Sequence, residues 1–227
     1  MTVEPVSSRG PVRRDVPSST GNPILPPQHS LLRSAWLAIA LGLAIEGVVL
    51  ASIALAGGAL AAKPATADLV QKVSWSLIVC VALAVARTAA SASGPLMGIA
   101  GLLAAPAGFA IARGLHKGAT QAMGLATVAV SAPSPVLIAS VKGVQYAVLG
   151  LAIGWVARKS WGGVGVHAAV GFAIGVLFGL PLVVLAVQAA PQMAVPAIAA
   201  RVANELIFPA GCALVLYASD TLGKRLG

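Results

Sequence analysis

From Ala35 onward the chain is a succession of long apolar runs separated by short clusters of Pro, Gly, Ser and basic residues. A helix needs about 20 apolar residues to cross the hydrocarbon core of a bilayer. Six runs meet that length within tolerance: Ala35–Ala62, Leu69–Ala90, Pro95–Ala112, Pro135–Ala157, His167–Gln188 and Pro196–Ser219. The pattern predicts an all-α integral membrane protein of about six transmembrane helices. Between Gly118 and Val141 the apolar pattern is interrupted by Ser131, Pro133, Ser134 and Pro135, so a re-entrant piece or a seventh crossing is the alternative there. Trp75 and Arg87 fall near opposite ends of the second run, where each can anchor at an interface.

The first 31 residues break this pattern. Pro5, Pro11, Pro17, Pro23, Pro26 and Pro27 are interspersed with Ser and Arg, and such a segment cannot bury enough apolar surface to fold. It is expected as a disordered cytoplasmic tail (1–31), followed by a single polytopic membrane domain (32–227). No apolar stretch of signal-peptide type lies in the tail.

Composition sharpens the class. The chain is 58% hydrophobic and 9% charged, with a mean hydropathy of +0.92, whereas soluble domains carry about 25% charged residues. A soluble fold is excluded. The formal charge of +9 would suggest nucleic acid in a soluble protein, but here the basic residues sit at segment ends without interleaved aromatics, which points to helix orientation. With an N-terminus inside, the cytoplasmic side holds Arg9, Arg13, Arg14, Arg33, Arg87, Arg158, Lys159, Lys224 and Arg225, against Lys63, Lys72, Arg113 and Lys117 outside. That asymmetry places both termini in the cytoplasm, most naturally at a bacterial inner membrane. The expected partners are the lipid bilayer and a second copy or another membrane protein, with no nucleic acid.

Two short matches suggest internal symmetry. Leu41-Gly42-Leu43-Ala44-Ile45 recurs as Leu149-Gly150-Leu151-Ala152-Ile153, and Pro106-Ala107-Gly108 recurs as Pro209-Ala210-Gly211. These offsets would pair segments one to three with four to six as two inverted three-helix repeats, a plan of many transporters. In so restricted an alphabet, roughly one such five-residue match arises by chance. Pro106, Gly108, Pro209 and Gly211 are candidate helix breaks, because a proline inside a helix frees a backbone carbonyl.

The residues able to carry chemistry are few. Glu46 sits near the middle of segment one, where an acid costs on the order of 3 kcal/mol and must find a partner or a proton. Its function is either a proton or cation site or a structural hydrogen bond. Arg201 and Glu205 are four residues apart, on one helix face and within reach of each other. Lys142 lies in the first half of segment four with Gln145 one turn on, and is expected to snorkel to the outer surface, the alternative being a place within the hydrocarbon. These four charged residues, Glu46, Arg201, Glu205 and Lys142, are the candidate substrate or ion pathway. Gly171, Gly175 and Gly179 repeat every four residues, as do Gly150 and Gly154, giving flat faces for close helix approach within the chain or between chains.

Cys80 and Cys212, far apart and without metal-ligand spacing, are expected as small buried residues. His29, His116 and His167 are scattered. No metal or cofactor site is expected, and the absence of HExxH, GxSxG, Walker or GxGxxG patterns argues against an enzyme. Two functions remain: a small-solute or ion transporter or channel, and a non-transporting scaffold or assembly subunit packing through its glycine faces.

Overall fold

The computed structural model describes residues 28–89, 93–125 and 133–226. The chain is an all-α integral membrane protein with, among the described residues, six helices long and apolar enough to span a bilayer. They are α1 Gln28–Leu55, α2 Ala62–Ala89, α3 Ser93–Ala122, α4 Pro135–Val156, α5 Val164–Ala189 and α6 Val195–Leu226. Residues 1–27 of the expected tail lie outside the described residues, and α1 already begins at Gln28, within the segment assigned to the tail. In the uncertain stretch after Gly118, α3 continues to Ala122 and α4 starts at Pro135; residues 126–132 lie outside the described residues.

Lipid explains the outward faces. Leu32, Leu43, Leu103, Leu177 and Val184 are exposed, as bilayer-facing positions should be, while small residues line the seams where helix backbones meet. Adjacent helices pack antiparallel in the order α4, α3, α2, α1, α6, α5, and α6 also touches α2 and α4 across the middle. Among the described residues, the glycines carry the tightest approaches. A Cβ on Gly171 would lie 2.6 Å from the Pro209 carbonyl oxygen, and one on Gly175 would lie 2.5 Å from the Leu206 oxygen. Gly154 meets the backbone of Gly94, and Gly150 that of Met97. Both glycine series thus serve packing within the chain, α5 on α6 and α4 on α3.

The prolines behave differently from the expectation of breaks. Helices α3 and α6 run unbroken through Pro106-Gly108 and Pro209-Gly211. A proline deletes one hydrogen bond and frees the carbonyl four residues earlier, here those of Leu102 and Glu205. Each freed carbonyl faces a glycine on the adjacent helix: added Cβ atoms on Gly143 and Gly179 would lie 3.1 and 2.9 Å from the two oxygens. Close glycine packing absorbs the defect, and the helix has no need to unwind. The irregular turn falls instead at Gly175–Gly179, a π-helical stretch within α5 directly before Pro181, a common way of accommodating a local mismatch in the helical ladder.

The proposed repeat is not confirmed. It would equate α1 and α2 with α4 and α5, yet α2 packs extensively on α1 while α5 meets α4 only sparingly.

Candidate functional site

Helices α2 and α6 run parallel and in register. Trp75 meets Phe208 with ring centroids 6.3 Å apart, the Cys80 and Cys212 sulfurs are 3.1 Å apart, and Arg87 pairs with Asp220 at 2.9 Å. The sequence separations of these contacts are 133, 132 and 133. The same offset brings Lys72 of α2 level with Glu205 of α6. The two residues turn to different neighbours: Lys72 donates to Glu46 of α1 at 2.5 Å, and Lys142 of α4 donates to Glu205.

Four charges from four helices therefore alternate in sign across one level: Glu46, Lys72, Glu205 and Lys142. From their positions in α1, α2, α4 and α6, they lie about 10–15 Å along the helix axis from the ends nearest the 56–61 and 190–194 connections. All four lie within the apolar spans, toward one end of them. All four side chains are nearly buried, with exposures of 6, 13, 13 and 9% in that order. Neutral pairing is how such charges survive at this depth, since an unpaired one is expensive in lipid.

Polar capacity at this level is not used up. Gln145, one turn beyond Lys142, is wholly buried, and neither its amide oxygen nor its nitrogen has a hydrogen-bond partner. The second carboxylate oxygen of Glu46 is in the same condition. Buried polar atoms left this way are costly, and they mark places where water or a polar visitor would bind.

Next to the charges lies an aromatic layer. Trp75 makes edge contacts with Phe109 of α3, Tyr146 of α4 and Phe208 of α6, centroids 5.6–6.4 Å apart. Beyond it come the two thiols and then Arg87, which also donates to the Leu216 carbonyl at 3.2 Å. His116 and Asp68 pair at 3.1 Å on the opposite side of the charge level.

Several of these relationships were hidden in the sequence. Glu205 is held by Lys142 rather than by Arg201, whose ion pairs are none among the described residues; i,i+4 spacing permits a contact but does not outcompete a lysine on the facing helix. Lys72, assigned to the outer side in the charge count, lies within the bundle because α2 begins at Ala62 rather than Leu69. The same shift carries Trp75 from an interfacial position to the hub of the aromatic layer. Cys80 and Cys212 are buried as expected, but they touch. His167, passed over in the sequence, is buried beside Tyr217 with its Nδ1 3.0 Å from the Gly163 carbonyl and its Nε2 without a partner.

Compared with known proteins, the chain matches no family model, no curated protein and no solved structure.

Proposed function

We propose that this chain is a transporter or channel for a small solute or ion, and that the charge level formed by Glu46, Lys72, Glu205 and Lys142 is part of its pathway. The observation that carries the reading is Gln145. A fully buried amide with both polar atoms unpartnered, one turn from an intramembrane ion pair, is poor glue and a good binding group. A packing role would be filled at less cost by an apolar residue, since paired charges in a core are often neutral or unfavourable relative to hydrophobic isosteres. The reading involves no enzymatic step.

In this reading the chain sits in a bacterial inner membrane with both termini in the cytoplasm. The charge level then lies toward the outer side, and the Trp75 layer separates it from the cytoplasm. Uptake or efflux would require the aromatic layer to part, a local rearrangement of the kind by which helix-packed proteins give alternating access.

The second reading is a non-transporting membrane subunit. It is favoured by an apolar groove of about 720 Å³ between α1 and α2, lined by Leu31, Leu32, Ala35, Leu77, Ile78 and Val81 among others, and open to the surface. Reconstitution into lipid vesicles separates the two. Proton, alkali-cation, halide and small neutral solute fluxes are compared with protein-free vesicles; a flux above background for any of them supports transport, and background flux for all supports the subunit.

A further inference from the structure

The two cysteines of this chain are its only ones, and both are free and wholly buried. Their sulfurs nevertheless stand 3.1 Å apart between α2 and α6. A disulfide needs a sulfur separation of about 2.05 Å, so closure asks for a movement of about 1 Å shared by two side chains on parallel, in-register helices. Fixed contacts at Trp75–Phe208 on one side and Arg87–Asp220 on the other hold that register.

We infer that Cys80 and Cys212 are a reversible disulfide site that hydrogen peroxide closes. Burial selects the oxidant. Bulky or charged disulfides cannot reach sulfurs with no exposed surface, whereas peroxide is neutral, nearly as small as water and hydrogen-bonds as water does. The unpartnered Gln145 amide of the neighbouring α4 offers it a polar station on the way.

The chemistry balances in two steps. One thiol sulfur attacks a peroxide oxygen, the O–O bond breaks, and the thiol proton leaves with the departing hydroxide as water, giving a sulfenic acid. The second thiol then attacks the sulfenic sulfur, the S–O bond breaks, and the hydroxyl leaves with the second proton as another water. Overall, two thiols are oxidised by two electrons and one peroxide is reduced to two waters. Contact between the sulfurs makes the second step intramolecular, so the sulfenic acid is consumed before further oxidation. The bond would tie α2 to α6 just beyond the aromatic layer.

The test uses the full chain in lipid vesicles. After hydrogen peroxide treatment and removal of the excess with catalase, the protein is unfolded in detergent and labelled with a maleimide polymer that shifts its gel mobility once per free thiol. The expected result is paired loss of both labels in a monomeric band, recovery of both on reduction with dithiothreitol, and a peptide containing Cys80 cross-linked to one containing Cys212 by mass spectrometry. Cys80→Ser and Cys212→Ser, having no resolving thiol, should form no cross-linked peptide and should lose a label that dithiothreitol progressively fails to restore, as the sulfenic acid passes on to sulfinic acid. Retention of both labels by the wild type, a disulfide-linked dimer, or wild-type loss that dithiothreitol does not reverse would each overturn the proposal. The wild-type cross-linked peptide decides the matter even where a serine variant fails to fold.

Discussion

Lys72 and Glu205 occupy the same level of two parallel helices, yet each is neutralised by a different neighbour, Glu46 and Lys142. Opposite charges thus share a depth without sharing a bond. The expected energetic and functional consequences follow from that arrangement.

Removing one member of a buried pair leaves the other uncompensated, at a cost of about 3–5 kcal/mol. Glu205→Leu should therefore destabilise the folded chain by about that much, and the double variant Lys142→Met/Glu205→Leu should regain most of the loss. Unfolding in detergent measures both. Additive losses would mean that the two side chains do not act as a pair.

Gly175 has no room for a side chain, since its Cβ would fall 2.5 Å from the Leu206 oxygen, whereas Ala169 is exposed. Gly175→Leu should sharply reduce the yield of folded protein, and Ala169→Leu should leave it near wild type. Equal yields would deny the glycine contact its role in holding α5 on α6.

Six helices were legible in the sequence because lipid imposes a length and an apolar composition on every crossing. Glu46 and Glu205 stood out for the same reason, as acids where acids are costly. Their partners did not. Asp68, Lys72 and the polar residues around them disguise the first turns of α2 as a loop, which hid both the Glu46–Lys72 pair and the interior position of Trp75. The Cys80–Cys212 contact depends on the register of two helices more than a hundred residues apart, and no local pattern encodes that. Pro106 and Pro209 were visible, but their outcome depended on Gly143 and Gly179 lying opposite the freed carbonyls.

Trp75 is the contact shared by α3, α4 and α6 in the layer beside the charges. If that layer seals the pathway, Trp75→Ala should raise passive flux through reconstituted protein several-fold while the chain stays inserted. Flux unchanged from wild type in folded protein would remove the seal from the account.

Orientation is tested on a cysteine-free background, with one cysteine introduced at the exposed Lys159. A membrane-impermeant maleimide should fail to label it in intact cells and label it after the membrane is opened. Labelling in intact cells would place the 157–163 connection outside and invert the assignment of the charge level to the outer half.

The most direct measurement is flux by vesicles carrying wild type, Glu46→Gln or Glu205→Gln, for whichever ion or solute the wild type moves. Glutamine keeps the shape and much of the hydrogen bonding but cannot ionise; each variant leaves a lysine uncompensated and folds less stably, and in the folded fraction its flux should fall by about tenfold or more. Wild-type flux from both folded variants would contradict the account, because the alternating charges would then be structural pairs outside any pathway.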